Sequence, residues 1–184
     1  MPPGETADPP QTGLGEAERH VPVVTQGSGP WCRVSGHFHR AVDSANRSRA
    51  LGGSRLPGRY SAAGQPTLYL SSSPEGVAAA MLAHGGARGH LTVLAFEVHA
   101  EDIVALRDPA ALASGGVDLE DAVAPWQDLV VAGGVPRSWG VRQRLEHLGV
   151  QGLIDPSRTR PGLWHLVLFR WNIDGAARVV PLRP

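Results

Sequence analysis

The sequence predicts an α+β fold in a single domain, with a mixed or mostly antiparallel sheet and flanking helices. Two observations indicate this class. The 184-residue chain is 42% hydrophobic and 18% charged, which is enough apolar material for one core. Strand patterns outnumber helix patterns, and the two do not alternate regularly along the chain as they would in a doubly wound α/β fold.

The beginning of the chain differs in composition from the rest. Residues 1–28 are rich in Pro, Gly, Thr and Glu and carry no hydrophobic period, which predicts a disordered leader before an ordered domain at 29–184. A polar, Gly-rich segment at 44–61 predicts a loop with one helical turn. Alternation of apolar and polar residues predicts strands at 31–41, 67–71, 90–99, 102–108, 151–155, 164–171 and 177–182.

Three helices are predicted between these strands. The Ser-Pro-Glu sequence at 73–75 supplies a cap, a first-turn proline and an acid near the positive helix end, and the helix runs to His84. Ser138 is expected to cap a helix that ends at Gly149. The segment 118–126 predicts a further short helix.

Composition and missing motifs exclude several classes of function. The net charge is zero and there is no basic block, so no direct nucleic-acid partner is expected. Cys32 is the only cysteine, and His37 and His39 lack a third ligand nearby in sequence, so no metal is expected. No apolar run is long enough to span a bilayer and no signal-peptide pattern is present, which predicts no membrane association and a cytoplasmic location. There is no P-loop, dinucleotide fingerprint, HExxH or GxSxG motif.

Four segments, taken together and in order, resemble the RES domain family, which is named for its Arg, Glu and Ser. They are FHRA (38–41), GRYS (58–61), PTLYLSSSPEGVAAAMLAH (66–84) and GLIDPSRTRPGLWHLVLF (152–169). The resemblance implies an ADP-ribosyltransferase-like fold, a split sheet around an NAD cleft. It implies NAD as the substrate, cleaved at the nicotinamide–ribose bond by phosphorolysis or hydrolysis, or used to transfer ADP-ribose. It also implies a bacterial toxin that pairs with an Xre-type helix-turn-helix antitoxin; whether the chain forms a homodimer stays open.

The resemblance also implies roles for individual residues. Arg40 and Arg59 match the family arginines, and their forked guanidinium groups suit the pyrophosphate of NAD. Tyr69 is a candidate to stack on the nicotinamide or ribose, and Tyr60, in the same turn as Arg59, is a further candidate for NAD binding. Ser157 matches the family serine and could bond to ribose or phosphate. Arg40, Arg59 and Ser157 are catalytic as well as binding candidates, and structural roles stay open for each.

The chain departs from the family pattern at two positions. The family glutamate, eleven residues after the strand tyrosine, falls at Ala80, and an alanine can neither stabilise a cation nor activate water. The asparagine that the family often has in its closing strand falls at His165.

Three interpretations of these departures stay open. In the first interpretation, another residue takes the role of the family glutamate. Glu75 lies about 140° from Ala80 around the helix, whereas His84 or Glu97 could reach into the NAD cleft. Alternatively, the domain binds NAD or another nucleotide without cleaving it and acts through a protein partner. A third interpretation is a divergent chemistry in which His165 and His84 handle proton or phosphate contacts. A related 2′-phosphotransferase-like enzyme is a further alternative.

Overall fold

The computed structural model describes residues 21–83, 90–158 and 160–183. The strands in these ranges are β1 (Val23–Gln26), β2 (Cys32–Asp43), β3 (Leu68–Ser71), β4 (Leu91–Ala105), β5 (Gly152–Pro156), β6 (Trp164–Leu168) and β7 (Arg178–Pro181). The helices are α1 (Pro74–Ala83), α2 (Pro109–Gly115), α3 (Leu119–Val123), α4 (Gln127–Val131) and α5 (Arg137–His147), with a 3-10 helix (Ser44–Gly52) between β2 and β3.

The strands form one mixed sheet that nearly closes on itself. Its order is β1-β2-β3-β6-β5-β4-β7, and β2 also pairs with β4. All the paired strands are antiparallel except β4 and β5, which run parallel. In the part of the chain that the structure describes, β2 meets β3 at a single residue pair, His39 opposite Ser71. The predicted α+β class with a split, mixed sheet and flanking helices is therefore confirmed.

Strand β4 connects the two parts of the sheet. Residues 91–100 and Ile103 pair with β2, and residues 103–105 pair with β5. Between them Asp102 has φ 51°, in the left-handed region that non-glycine residues rarely adopt. The sequence predicts two strands here, at 90–99 and 102–108. They are one strand because the chain passes through this irregular position without leaving the sheet.

Two apolar clusters lie on opposite faces of β3, β6 and β5. The inner cluster is enclosed by the ring of strands and includes Phe38, Leu68, Leu70, Phe96, Leu166 and Leu168. The outer cluster lies under the helices and includes Tyr60, Val141, Leu145, Leu153 and Val167. Since alternate residues of a strand share a face, Ser71, His165 and Asp155 lie on the outer face beside Tyr69, Val167 and Leu153.

The other sequence predictions agree with the structure only in part. The ordered chain begins before the predicted boundary at 29, because β1 pairs with β2 from Val23 opposite Ser35. Residues 1–20 of the predicted leader lie outside the described residues, as does His84. Ser73 caps α1 as predicted, with Oγ accepting from the Gly76 amide at 3.1 Å. No helix in the described ranges is long and apolar enough to cross a membrane.

Candidate functional site

The turn at residues 58–61, which carries Arg59, is hydrogen-bonded to the first turns of α5. Three successive carbonyl groups of the turn each accept a hydrogen bond from this helix. Trp139 Nε1 donates to the Gly58 carbonyl at 2.8 Å, and Ser138 Oγ donates to the Arg59 carbonyl. Arg142 Nη1 donates to the Tyr60 carbonyl at 3.2 Å. Buried carbonyl groups need such partners, so these three residues, the α5 donors, fix the backbone on which Arg59 stands.

Ser138 was expected to cap α5, and the structure corrects this prediction. The helix begins at Arg137 after Pro136, which makes no side-chain capping bond. Ser138 is fully buried in the first turn, and its hydroxyl donates to the carbonyl of Arg59. A serine hydroxyl can serve a distant backbone group instead of its own helix when tertiary packing brings that group close.

Arg142 extends the connection from the turn to the beginning of β3. Its side chain is 3% exposed and forms an ion pair with Glu146 at 3.0 Å. It also donates to Thr67 Oγ1 at 2.5 Å and to the carbonyl of Pro66 at 3.1 Å, and it lies 4.9 Å from the centre of the Phe169 ring. A buried guanidinium is tolerated only when its donors are satisfied, so Arg142 is a structural residue that organises this corner.

The guanidinium of Arg59 is anchored through one of its nitrogens. Nη1 donates to the carbonyl oxygens of Val123 at 3.1 Å and Ala124 at 2.7 Å, at the end of α3. Burial lowers the pKa of Arg59, and the nearby Arg158 lowers it further, yet an arginine remains cationic at neutral pH. Among the described residues, no hydrogen-bond acceptor contacts its Nη2 or Nε. These donors are therefore available to an anion.

Four polar side chains form a row across the outer face of the sheet. Strand pairing places His39 opposite Ser71, Ser71 opposite His165, and His165 opposite Asp155. Residues opposed in this way have Cβ atoms about 4.5–5.5 Å apart. The Oγ atom of Ser71 lies 2.9 Å from Nδ1 of His165. We call His39, Ser71, His165 and Asp155 the polar row.

Asp155 forms the end of the polar row that is closest to Arg59. Its side chain is 15% exposed, and its Oδ1 lies 3.4 Å from Nη2 of Arg158. Burial raises the pKa of Asp155, whereas the charges of Arg158, Arg59 and His165 lower it. The charges of two guanidinium groups and an imidazole therefore act on this carboxylate, which places Asp155 close to Arg59. We call the part of the outer face between the polar row and the 58–61 turn the cleft.

His39 forms the opposite end of the polar row, next to the start of α1. Burial lowers the pKa of His39, His37 lowers it further, and Glu75 raises it. The ring is therefore mainly neutral at pH 7. Its Nδ1 is buried and has no hydrogen-bond partner among the described residues. Glu75 is exposed, and its pKa is lowered by its own backbone amide, by Ser73 and by His39.

The structure separates the two predicted arginines. Arg40 lies on the inner face of β2 together with Phe38 and Val42, and its Nη1 donates to the carbonyl of Ala50 at 2.5 Å. Its neighbour His39 lies on the outer face, because successive residues of a strand point to opposite sides. Arg40 is thus directed away from the cleft that Arg59 borders.

The two predicted tyrosines pack beneath the cleft. Tyr60 is fully buried in the outer cluster, and its hydroxyl donates to the carbonyl of Ala122 at 3.2 Å. The hydroxyl oxygen of Tyr69 accepts from the Tyr60 amide at 3.3 Å and lies 3.2 Å from Ser61 Oγ. The hydroxyl groups of both tyrosines support the turn that carries Arg59; the Tyr60 ring is fully buried and the Tyr69 ring is partly buried.

Ser157 and His165 both lie beside Asp155. Ser157 follows it by two residues in a turn, where its amide donates to Leu163 O at 2.9 Å and its Oγ accepts from the Arg160 amide at 3.2 Å. Of the predicted residues, His165 therefore lies in the polar row, Arg59 lies near the Asp155 end of that row, and Ser157 follows Asp155 along the chain. Ser71 and Asp155, which lie on either side of His165, were not predicted.

Neither the position of the family glutamate nor the alternative carboxylate Glu97 lies in the polar row. Ala80 is half-buried on α1. Glu97 lies opposite His37 on the β2–β4 ladder, and its Oε1 is 3.2 Å from Nε2 of His99, so it is not part of the polar row. Among the residues that the structure describes, no group of three or more His, Cys, Asp or Glu side chains is placed to hold a metal ion.

The chain is similar to a known domain family and, in fold, to a solved structure. The family model, described as the RES domain, matches residues 30–184. The solved structure is the crystal structure of the M. tuberculosis MbcT–MbcA toxin–antitoxin complex. A chain of it shares 16% sequence identity with this protein and aligns over 80% of this chain and 84% of that chain, with a TM-score of 0.43. A comparison with curated proteins finds no match.

Proposed function

The chain belongs to the RES domain family, and we propose that it is an enzyme that cleaves NAD at the nicotinamide–ribose bond. The acceptor of the ADP-ribosyl group would be phosphate, water or a protein side chain. Family membership supports the substrate class, since known members of the family degrade NAD or transfer its ADP-ribose. The cleft described above supplies the chemical argument.

The observation that carries this proposal is the position of Arg59 beside the polar row. Two carbonyl groups hold Nη1, which leaves Nη2 and Nε to donate in parallel to two oxygens of a pyrophosphate. The α5 donors hold the backbone of the same residue. A cation that is fixed before the ligand arrives loses little entropy on binding, which favours a charged ligand such as NAD.

The residues around Arg59 suit the reacting end of NAD. Cleavage of the glycosidic bond gives the ribose an oxocarbenium-like positive charge, which nearby anionic or dipolar groups stabilise. Ser157 and His165 offer polar groups for ribose hydroxyls or for an attacking oxyanion. Ser71 restrains the His165 ring through its contact with Nδ1.

We further propose that the protein acts as a toxin controlled by an antitoxin of the Xre type. Many members of the family form such pairs, and depletion of NAD would stop growth. A toxin of this kind acts where the NAD pool is, so we place its action in the bacterial cytoplasm. Expression from an inducible promoter should lower cellular NAD and arrest growth, and the product of a neighbouring helix-turn-helix gene should restore both.

The direct test is an assay of nicotinamide release by the purified full chain. NAD is supplied with and without inorganic phosphate, and the products are separated by chromatography. We expect nicotinamide from the wild type and at least about 100-fold less from Arg59→Ala, because one anchored charge group contributes on this scale. Arg107→Ala, at an exposed position, is the matched control and should behave as the wild type. An inactive wild type would overturn the proposal.

Ala80 favours a second candidate function, an NAD-binding module that acts through a protein partner. In this case the cleft would bind NAD without breaking it, because the family carboxylate on α1 is replaced by a methyl group. Measurable NAD binding without nicotinamide release identifies this alternative. NAD binding together with release excludes it.

A further inference from the structure

We propose that Asp155, on β5, supplies the carboxylate that this cleft lacks at position 80 on α1. The inference rests on the proposed function, since it concerns the group that stabilises the nicotinamide ribose during cleavage. It assigns the role to a different element of the fold: a strand in the floor of the cleft instead of a helix beside it.

Asp155 is distinguished from the other carboxylates near the cleft by its surroundings. Glu75 is exposed in the first turn of α1, and Glu97 is paired with His99. Glu146 accepts two hydrogen bonds from Arg142 and belongs to the structural corner. Of these groups, Asp155 alone combines a nearly buried side chain with a place on the cleft floor.

The position of Asp155 also suits the path of the ligand. It lies directly opposite His165 and two residues before Ser157, and the charge of Arg59 acts on it. A pyrophosphate held by Arg59 would leave the attached ribose close to the polar row, because the two lie on one cleft. The carboxylate stands on a strand that is paired on both sides, with β4 and β6, so its position is well defined.

The surroundings of Asp155 suit the same role in its ionised form. Burial is the largest influence and raises the pKa of Asp155 above its ordinary value, while the charges of Arg158, Arg59 and His165 limit the rise. Few waters surround a side chain that is 15% exposed. The attraction between such a carboxylate and a cation on the ribose is stronger there than in bulk water, because the local dielectric constant is lower.

The chemical step balances with the groups named. The bond between C1′ of the ribose and the nicotinamide nitrogen breaks, and its electron pair leaves on nicotinamide, which becomes neutral. Positive charge develops on C1′ and the ring oxygen, where Asp155 stabilises it. An oxygen of phosphate or water forms the new bond to C1′. Monohydrogen phosphate needs to give up no proton, whereas water passes one proton to Asp155 and from there to solvent.

The experiment compares Asp155→Asn with the wild type and with Asp174→Asn, a matched change at an exposed loop position. Nicotinamide release gives kcat and KM, and carba-NAD, which cannot be cleaved, gives the binding affinity. For Asp155→Asn we expect kcat to fall by at least about 100-fold while the affinity for carba-NAD stays within about threefold. Asp174→Asn should match the wild type in both measurements.

The outcomes separate this inference from the proposed function. An active wild type together with an Asp155→Asn variant within threefold of its kcat overturns the role of Asp155 and leaves NAD cleavage intact. A wild type that releases no nicotinamide overturns both.

A second variant applies if Asp155→Asn does not fold. Arg158→Gln removes the charge that lowers the pKa of Asp155 most, while His165, Arg59 and Tyr60 continue to face it. The acid limb of the kcat–pH profile should then move to higher pH relative to the wild type, since kcat reports ionisations in the substrate complex. An acid limb that does not move contradicts the proposal.

Discussion

Trp139 donates its indole N–H to the carbonyl oxygen of Gly58 across 2.8 Å, and so joins α5 to the turn that carries Arg59. The donor and acceptor are 81 residues apart in sequence. The geometry of the cleft therefore depends on a helix that contributes no side chain to the polar row. The first prediction tests this dependence.

Trp139→Phe should weaken both the fold and the cleft. An aromatic ring is kept, although a smaller one, while the N–H is lost, so the Gly58 carbonyl keeps no donor from α5. We expect a loss of about 1–2 kcal/mol in the free energy of unfolding, measured by urea denaturation. The affinity for carba-NAD should fall as well, because the backbone of Arg59 is less restrained.

Trp171→Phe is the matched control for this change. Its indole also donates to a backbone carbonyl at 2.8 Å, that of Leu51, but on the other side of the sheet. It should cost a similar stability and leave carba-NAD binding unchanged. Equal effects of the two variants on binding would show that α5 does not set the position of Arg59.

Gly58→Ala should destabilise the protein through a steric conflict with Tyr69. A Cβ at this position would lie 2.6 Å from the Tyr69 hydroxyl oxygen and 2.9 Å from Ser61 Oγ. Overpacking of this kind costs about 1–3 kcal/mol. In the double variant Gly58→Ala/Tyr69→Phe the closest atom is removed, so the cost should be smaller than the sum of the two single changes. Chemical denaturation of all four proteins measures the coupling, and strict additivity would contradict the contact.

Arg142→Met should be among the most damaging changes to stability. It removes the donors that serve Tyr60, Thr67 and Pro66 and leaves Glu146 without its partner. Each buried acceptor left without its donor costs about 1–3 kcal/mol, which thermal and urea unfolding will detect. Glu146→Gln retains an acceptor on a half-exposed side chain and should cost less than about 1 kcal/mol. A stable Arg142→Met protein would refute the structural role.

Cys32 should react slowly with thiol reagents while the protein is folded. Its thiol donates to the carbonyl of Ile103 at 3.0 Å, and burial, aided by the charge of Asp108, raises its pKa from 9.0 to about 11. Because the thiolate is the reactive form, labelling at pH 8 should be roughly 100-fold slower than for an ordinary cysteine. The rate should rise about tenfold per pH unit up to this pKa. Labelling in denaturant supplies the reference, and equal rates in both conditions would contradict the burial.

Local signals in the sequence account for most elements of the fold. The alternation of β2 and the capping serine of α1 depend on nearest neighbours, and both are present as predicted. The left-handed Asp102 inside β4 is not readable in this way, since a polar pair before an apolar run is equally typical of a turn. The use of Ser138 on a carbonyl 79 residues away is likewise decided by tertiary packing.

The candidate site was only partly predictable for a related reason. Motif resemblance pointed to Arg59 and Ser157, which match family residues, and to His165, which stands where the family often has an asparagine. The polar row arises from strand pairing between residues as far apart as Ser71 and His165, which are 94 positions apart. A two-residue period places Asp155 on one face of its strand, but only the register of β5 with β6 places it opposite His165. That register is set by long-range packing of the two apolar clusters.

The shared strand β4 has a consequence for how the protein unfolds. Its two ends contribute to the two parts of the sheet, with β2 along one portion and β5 along the other. Neither part of the sheet can unfold without breaking the hydrogen bonds that β4 makes with the other part. The described domain should therefore lose its structure in one cooperative transition. Amide protons on β4 would then be among the last to exchange with deuterium, and their exchange would report global opening.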